Sequence, residues 1–265
     1  MADGQDVGRS FDRSAGDYDE LLRPNRIGAQ RLVAAMPAGG YRRVLDVGCG
    51  TGFTTEAMIA RFGPLSVTGV DPSQGMLERF RDKLSGLGAE VELIRSGVHE
   101  MPVPDGAYDA VVSGMAFHWF PDKPAAIAAM ARRLRPGGVL AILASGRGTD
   151  LEFQRILEGI DPPVPAAWVE VFDRIHRSGD QLAGYMEDAG LEVVDAWEEH
   201  RVRRVTPEAF LARIGAVASH LSDDLDPAEA EAHGARVARA VAEAAGPRGF
   251  EFTFVKLYGV ARRAQ

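Results

Sequence analysis

Apolar and polar positions follow two different periods along most of the chain. Short runs of apolar and β-branched residues alternate with segments of about ten residues that have helical spacing. The runs that predict strands are 43–47, 65–70, 91–94, 107–113, 139–143, 191–197 and 252–260. Strands that alternate with helices are typical of an α/β fold with a doubly wound, mostly parallel sheet. We therefore expect such a sheet, covered by helices on both faces, at the centre of the protein.

The segments outside this alternation are polar or helical in pattern. Residues 1–10 predict a flexible tail, and residues 11–37 predict two short helices on either side of Pro24. Residues 11–265 are interpreted as a single domain. Within it, the helical segments 146–180 and 206–246 predict cap or lid insertions over the sheet. Dimerisation, or simple covering of the sheet, stays open as an alternative role for these helices.

Composition narrows the class of ligand. The net charge is -8 and the acidic residues are spread along the chain, which argues against nucleic acid or a membrane surface and favours a small-molecule substrate. The single cysteine, Cys49, can form neither an internal disulfide nor a Cys-based zinc site. No apolar leader and no run of about eighteen apolar residues occurs, which predicts a cytoplasmic protein. We expect a monomer or homodimer without a metal site.

A glycine-rich turn follows the first predicted strand. The sequence from Val44 to Gly52 places Gly48, Gly50 and Gly52 between that strand and a helix. A tight turn without a ligand is the alternative for an isolated turn of this kind. Here Asp71 ends the second predicted strand, where a carboxylate can accept hydrogen bonds from a ribose diol. The two features together predict an adenosine-containing ligand.

The turn differs from the nicotinamide-nucleotide pattern. That pattern has glycines in the spacing G-x-G-x-x-G and a helix N-terminus that faces a pyrophosphate. Here the glycines alternate, and Asp46 lies within the preceding strand. An acid near the turn opposes a pyrophosphate and suits a ligand with an ammonium and a sulfonium group. A nicotinamide dehydrogenase is therefore disfavoured.

Several motifs together resemble one enzyme family. Residues 44–52, the Val70-Asp71 pair and residues 134–138 occur at the intervals found in class I S-adenosylmethionine-dependent methyltransferases. Residues 101–109 and 116–120 are similar to the small-molecule group that includes trans-aconitate methyltransferases. The resemblance implies a Rossmann-like seven-stranded sheet of order 3-2-1-4-5-7-6 with the last strand antiparallel. It also implies S-adenosylmethionine as cofactor and S-adenosylhomocysteine as product.

The resemblance implies a set of cofactor contacts. Glycines of the turn would pass beneath the methionine and ribose, Asp71 would hold the ribose hydroxyls, and two N-terminal residues would cover the methionine end. The position that normally carries an acid for the adenine amino group is Gly97, so adenine recognition would rest on neighbouring residues. The full set is Tyr18, Arg23, Asp46, Gly48, Gly50, Asp71, Pro72, Met76, Val98, His99 and Met115.

One histidine is the candidate for catalysis. His118 follows the fourth predicted strand, at the edge of the sheet where ligands bind in open α/β folds. It is interpreted as a general base or hydrogen-bonding group that faces the substrate. The alternatives are packing among aromatic residues or contact with the cofactor only. The predicted substrate pocket is formed by Phe117, Trp119, Trp168 and Phe172. The other candidates, His176, His200, His220 and His233, lack ligand spacing and predict solvated side chains.

The resulting prediction is methyl transfer to a small molecule, in specialised metabolism, by in-line displacement. Residues 113–116 lack the Asn/Asp-Pro-Pro-Tyr/Phe motif of amino-group methylases, which points away from nucleic-acid bases. The nucleophile can be oxygen, nitrogen or carbon. The alternative is a relative that binds the cofactor without transferring its methyl group, such as a cyclase.

Overall fold

The computed structural model describes residues 11–12 and 22–265, and only the backbone of Arg23, Arg174 and Ile175. Short 3₁₀ turns occur at Phe117–Trp119 and Ser219–Ser222. The elements in chain order are α1 (Arg23–Ala35), β1 (Arg43–Val47), α2 (Phe53–Phe62), β2 (Ser66–Asp71), α3 (Gln74–Leu84), β3 (Glu90–Arg95), β4 (Tyr108–Gly114), α4 (Lys123–Arg133), β5 (Leu134–Ser145), α5 (Leu151–Gly159), α6 (Ala166–Ile175), α7 (Gly179–Asp188), β6 (Leu191–Val205), α8 (Pro207–Ala218), α9 (Pro227–Ala244) and β7 (Phe250–Arg263).

The strands form one sheet in the order β3-β2-β1-β4-β5-β7-β6. Neighbouring strands from β3 to β5 are parallel, and β7 runs antiparallel to both β5 and β6. The fold class, the strand order and the antiparallel last strand are therefore confirmed. Because the order reverses between β1 and β4, their carboxyl ends border the crevice in which open α/β sheets bind ligands.

Helices cover both faces of the sheet. On one face, α1, α2 and α3 bury residues such as Leu32, Met58 and Phe80 against the apolar side chains of the strands. On the other face, α4 and α7 bury Ile127 and Met186 in the same way. The central strands are buried on both sides, and this explains their nearly continuous apolar sequences.

The two C-terminal strands are longer than predicted. They pair with each other along their whole length, from Leu191 opposite Arg263 to Val205 opposite Phe250. By contrast, β5 pairs with β7 only as far as Ser145, which lies opposite Lys256. The far ends of β6 and β7 thus form a two-stranded ribbon beyond β5. The prediction that the sixth strand ends near residue 197 is wrong, because residues 198–204 are mostly charged and are held by pairing with β7.

Four helices pack on this ribbon. Helices α5, α6, α8 and α9 form a third hydrophobic cluster with β7. It includes Phe153 of α5, Phe210 of α8, and Phe250 and Phe252 of β7. The predicted insertions therefore meet each other over the ribbon, and their role as caps stays a prediction. The tail at residues 1–10 and the first predicted helix, apart from residues 11–12, lie outside the described residues. In the described part no helix is long and apolar enough to span a membrane.

Candidate active site

The turn after β1 is fixed by backbone hydrogen bonds to the end of β2. The N–H groups of Gly48 and Cys49 donate to the carbonyl oxygen of Val70 at 2.7 and 3.1 Å. Gly48 has φ +65°, and a Cβ there would lie 2.3 Å from the Cβ of Ala116. Gly50 has φ +50°, and a Cβ there would meet open space. Gly48 is therefore required for close packing, whereas Gly50 exposes its backbone to a cleft.

We call this space the glycine-loop cleft. Its volume is about 150 Å³. It is lined by the turn, by the ends of β2 and β4, and by the segment after β3. The lining includes Gly48, Gly50, Asp71, Pro72, Met76, Val98, His99, Glu100, Met115 and Trp119.

Asp71 joins the turn to the next helix. Its Oδ2 accepts from the N–H of Gly50 and its Oδ1 from the N–H of Ser73, both at 2.9 Å. Burial raises the pKa of Asp71 to about 6, although these hydrogen bonds oppose the shift. Each carboxylate oxygen keeps a further lone pair, so the side chain can accept from a ligand as well.

Asp46 is buried beneath the turn. Its Oδ2 accepts from the hydroxyl of Thr55 at 2.7 Å, while its Oδ1 has no hydrogen-bond partner among the described residues. Burial raises the pKa of Asp46 to about 7, and the nearby Asp71 adds to the shift. An unpartnered buried acceptor beside the cleft is a position for a ligand cation or a water molecule.

The far end of the cleft contains an acid that the sequence pattern did not indicate. A Cβ at Gly97 would lie 2.8 Å from Oε2 of Glu100. The Glu100 carboxylate therefore occupies the space above Gly97, where the family pattern carries an acid. Pro72, Val98 and His99 line the same end of the cleft.

The described N-terminal residues close one side of the cleft. Oδ1 of Asp12 accepts from the Ser73 hydroxyl at 2.6 Å and from the N–H of Gly75 at 2.9 Å. The neighbouring Phe11 ring lies edge-on to Trp119, with centroids 6.2 Å apart. Asp12 thus anchors Phe11 over the cleft. Tyr18 and the side chain of Arg23 lie outside the described residues.

A second cavity of about 460 Å³ lies beside the cleft. We call it the aromatic cavity because many of its lining residues are aromatic. Most of its lining comes from the ribbon and from the helices packed on it. Its lining includes Phe11, Asn25, Met115, His118, Trp119, Phe153, Trp168, Phe172, His176, Arg203, Arg213, Ile214, Phe252 and Phe254. The predicted pocket residues Trp119, Trp168 and Phe172 therefore line one cavity together with His118.

His118 is held in one orientation by its neighbours. Its Nδ1 accepts from the N–H of Ser145 at 3.3 Å, and Nζ of Lys123 donates to its carbonyl oxygen at 3.0 Å. Burial, with His176 and Lys123 nearby, holds the pKa of His118 well below its usual 6.5. The ring is therefore neutral near pH 7, and its proton lies on Nε2 because Nδ1 is an acceptor.

Two other histidines were predicted to be solvated, and for these the prediction is wrong. His176 and His220 are 6% and 7% exposed. Burial lowers the pKa of His176 to about 4, and its ring centroid lies 6.5 Å from that of His118. The edge of His220 meets Trp119, with centroids 5.5 Å apart. Both belong to the surroundings of the aromatic cavity because the helices packed on the ribbon cover them.

The cleft and the cavity meet at a shared boundary. Phe11, Asn25, Met115 and Trp119 line both spaces. Asn25, at the start of α1, is 7% exposed, and its side-chain amide makes no hydrogen bond to another described residue. The boundary therefore contains a polar side chain among apolar ones.

Comparisons with known proteins agree with this geometry. A family model described as a methyltransferase domain matches residues 44–138. The chain is 30% identical over 264 residues to trans-aconitate 2-methyltransferase of Methylobacterium nodulans, covering 93% of this chain and 95% of that protein. The chain belongs to the class I S-adenosylmethionine-dependent methyltransferases.

Other relatives of the methyltransferase match over different lengths. Malonyl-[acyl-carrier protein] O-methyltransferase of Halorhodospira halophila is 34% identical over 66% of this chain, which spans 57% of that protein. A putative methyltransferase of Bacillus halodurans has a TM-score of 0.63 at 21% identity, covering 89% of this chain and 99% of that one. A [4+2]-cyclase has a TM-score of 0.58 at 22% identity, covering 90% of this chain and 80% of the cyclase chain. These two structures share the fold of the methyltransferase.

The cleft of the methyltransferase fits S-adenosylmethionine on three observations. The backbone of Gly50 faces open space, so that a ligand can approach it closely. The orphaned Oδ1 of Asp46 provides an acceptor beside the turn. Asp46 and Asp71 together supply negative charge, which suits a cofactor that carries an ammonium and a sulfonium.

Some predicted residues of the methyltransferase lie elsewhere. Phe117 is 1% exposed and packs in the core beside α4. It lines neither the cleft nor the cavity, so its prediction as a pocket residue is wrong. Asp46 lies below the cleft and not on its surface. Sequence reasoning missed Asn25, Glu100, Arg203 and Arg213. The alternation of aromatic and polar residues at 250–254 was a signal near Arg203, since Phe252 pairs with Arg203.

Proposed function

We propose that the protein transfers a methyl group from S-adenosylmethionine to a small organic acceptor bound in the aromatic cavity. The observation that carries this proposal is the shared boundary formed by Phe11, Asn25, Met115 and Trp119. A donor in the cleft and an acceptor in the cavity can meet only at this boundary. S-adenosylmethionine would supply a methyl group on a sulfonium; the acceptor's nucleophile would bond to the methyl carbon as the opposite C–S bond breaks, with S-adenosylhomocysteine as the leaving group.

We assign cofactor binding to the glycine-loop cleft. Gly48 and Gly50 offer backbone to the methionine and ribose portions, and Asp71 accepts from the ribose hydroxyls. Asp46, which lies below the cleft, orders the amino end through a water molecule at Oδ1. Pro72 and Met76 flank the adenine. Tyr18 and Arg23 stay predictions for the methionine end.

We assign adenine recognition to the segment after β3. The Glu100 carboxylate occupies the space that a side chain at position 97 would fill. A carboxylate oxygen can accept a hydrogen bond from the exocyclic amino group of adenine. Val98 and His99 complete this end of the cleft. Met115 is the cofactor contact nearest the acceptor, because it lines both spaces.

The protein's main contribution to the reaction is alignment without water. Trp119 and Phe11 cover the boundary, and the aromatic side chains of the cavity exclude water from the nucleophile. Trp168 and Phe172 shape the acceptor side, with Trp168 fixed by donation from Nε1 to the carbonyl oxygen of Leu221 at 3.0 Å.

His118 orients the acceptor in this proposal. The sequence predicts it as a general base, and that role stays a prediction. Its low pKa makes it a weak base, whereas its Nε2–H can donate to the acceptor. A neutral ring also adds no positive charge beside a sulfonium. We therefore favour a donor role, and we expect the acceptor to present a nucleophile that needs little deprotonation.

The alternative is cofactor binding without methyl transfer, as in a cyclase. A solved [4+2]-cyclase has the same fold, so the fold does not separate the two functions. Formation of S-adenosylhomocysteine does separate them. Specialised metabolism, a cytoplasmic location and a monomeric or homodimeric state stay predictions.

The test is an incubation of the purified full chain with S-adenosylmethionine and a metabolite extract of the source organism. We expect S-adenosylhomocysteine to accumulate in step with one metabolite that gains the mass of a methyl group. An incubation without extract measures cofactor hydrolysis. Tight cofactor binding with no product and no S-adenosylhomocysteine above this control favours the cyclase-like alternative.

A further inference from the structure

The aromatic cavity contains two arginines in an otherwise mostly apolar lining. Arg203 comes from β6 and Arg213 from α8. Apolar side chains surround them, including Phe153, Leu157, Val171, Phe172, Ile214, Phe252 and Phe254. A guanidinium in such surroundings loses hydration, and it is stabilised when an anion pairs with it.

Arg213 already has an anionic partner. Its Nη2 lies 2.5 Å from Oδ1 of the buried Asp150. Its guanidinium also lies over the rings of Phe210 and Phe252, at 4.9 and 4.8 Å from the centroids. Its Nε is buried and has no hydrogen-bond partner among the described residues. The charge of Arg213 is therefore balanced by Asp150.

Arg203 has no such partner. Its neighbours on β6 are paired, Arg201 with Glu199 at 3.6 Å and Arg204 with Glu251. No carboxylate of the described residues forms an ion pair with Arg203, and its Nε is buried without a hydrogen bond. The side chain lies opposite Phe252 in the strand register, on the face that borders the cavity. Burial, Arg201 and Arg213 all lower its pKa, because each disfavours its charge.

We propose that Arg203 binds an anionic group of the methyl acceptor, and that the acceptor is an organic carboxylate with a large apolar body. This inference rests on the proposed function, because it names the acceptor class for the same cavity. The carboxylate pairs with the guanidinium of Arg203. The aromatic side chains contact the apolar body.

The charges in the cavity favour one carboxylate over several. Asp150 neutralises Arg213, which leaves Arg203 as the uncompensated cation among the described lining residues. A polycarboxylate such as trans-aconitate carries three acidic groups, and two of them would be buried without a matching charge. Such burial costs several kcal/mol per ion. The acceptor class therefore differs from the substrate for which one relative is named.

A pair of fluorescent probes tests this inference without any methyl transfer. The anion 1-anilinonaphthalene-8-sulfonate and the neutral N-phenyl-1-naphthylamine share one aromatic framework and differ by the sulfonate, which stands in for the carboxylate. Both are titrated into the full chain saturated with S-adenosylhomocysteine, so that the cleft is filled. Arg203→Gln is expected to weaken the sulfonate probe at least about tenfold, because a charge-assisted hydrogen bond contributes about 1.5–3 kcal/mol. The neutral probe is expected to change less than about twofold.

Matched variants make the result specific. Arg204→Gln removes an exposed arginine one position along the same strand and should change neither probe. Arg203→Lys keeps the charge and should retain most of the preference for the sulfonate. Ile214→Trp fills the cavity and should abolish binding of both probes. Thermal melts establish that each variant is folded.

Two results would overturn the inference. One is an equal effect of Arg203→Gln on both probes, or none on either. The other is sulfonate binding that persists in Ile214→Trp, because the anion site then lies elsewhere. Neither result depends on whether the enzyme transfers a methyl group, so a failure of the proposed function in the extract experiment is a separate finding.

Discussion

The two spaces that meet at Trp119 have opposite electrostatic character. The glycine-loop cleft lies beside two buried acids, Asp46 and Asp71, whereas the aromatic cavity contains Arg203 and Arg213 with a single buried acid, Asp150. Negative charge beside the cleft favours a cofactor with an ammonium and a sulfonium. Positive charge in the cavity favours an anionic acceptor. In the proposed function, each of two oppositely charged ligands is paired with opposite charge on its own side.

The two spaces also differ in how they are built. The cleft is made by turns directly after β1, β2 and β4, and backbone hydrogen bonds within these turns fix its shape. The cavity is assembled from α1, β5, β6, β7 and four helices that are distant in sequence. Changes on one side are therefore expected to leave the other side largely intact, and the following predictions test that independence.

The largest effect is expected from Asp71→Asn. The amide keeps one acceptor oxygen but loses the charge, so that it binds hydroxyls and the Gly50 N–H more weakly. We expect affinity for S-adenosylhomocysteine to fall about 100-fold, since two charge-assisted hydrogen bonds weaken. Isothermal titration at pH 8 measures this. Binding of the sulfonate probe to the aromatic cavity should stay unchanged.

Asp109→Asn is the matched control for that variant. Oδ2 of Asp109 also accepts from two backbone N–H groups, those of Arg42 and Arg43, but it lies away from the cleft. The Asp109→Asn variant should have a lower free energy of unfolding than the wild type and an unchanged affinity for S-adenosylhomocysteine. Equal affinity losses in both variants would contradict a specific role for Asp71.

A smaller effect is expected at His118. With the acceptor identified from the extract, His118→Ala should lower kcat/KM about tenfold, the value of one hydrogen bond. His118→Gln should recover part of this, because its amide can donate from nearly the same place. When kcat of the wild type is measured against pH, titration of His118 should cause no rise or fall between about pH 6.5 and 9, since the pKa of this histidine is well below 6.5. A base role instead predicts that Gln is as inactive as Ala.

The smallest effect is expected from Asp46→Asn, measured as stability of the ligand-free protein. Because burial raises the pKa of Asp46 from 3.8 to about 7, the folded protein binds a proton that the unfolded chain releases in that window. Asp46 therefore lowers stability increasingly as pH rises from about 4 to 7. We expect the Asn variant to be more stable at pH 8 by about 1 kcal/mol, since the unpaired amide offsets part of the gain.

Thermal or urea unfolding at pH 4 and pH 8 checks this prediction. The stability gain of Asp46→Asn should be lost at pH 4, where the folded wild type holds the carboxyl protonated and the pH lies close to the unfolded pKa of 3.8, so that little of the charge penalty remains. A variant that is equally destabilised at both pH values would show that Asp46 acts by packing and not by its charge. In either case the sulfonate probe should report an unchanged aromatic cavity.

Much of the fold could be predicted from the sequence, because its signals are local. Each strand of the parallel part is a short apolar run, and the turn at Gly48 and Gly50 lies within nine residues of the start of its strand. The place of Asp71 beside this turn could be predicted because the residue ends the next strand. The order of the sheet came from the family resemblance, and the structure confirms it.

The aromatic cavity could not be predicted in the same way. Arg203 lies in a charged segment without strand character, and its position depends on pairing with Phe252. Arg213 meets Asp150 across a long stretch of chain. His176 and His220 appear isolated in sequence and are buried only because helices from two separate segments pack together. Such positions are set by tertiary contacts, for which no periodic pattern exists.

The ribbon formed by the far ends of β6 and β7 has a consequence for how this enzyme can evolve. It extends past β5, so its outer residues, such as Arg203 and Phe252, form no part of the five parallel strands. In the proposed function, mutations there alter acceptor recognition and leave the glycine-loop cleft intact. Acceptor specificity can therefore change at a few ribbon positions while the cofactor site stays the same.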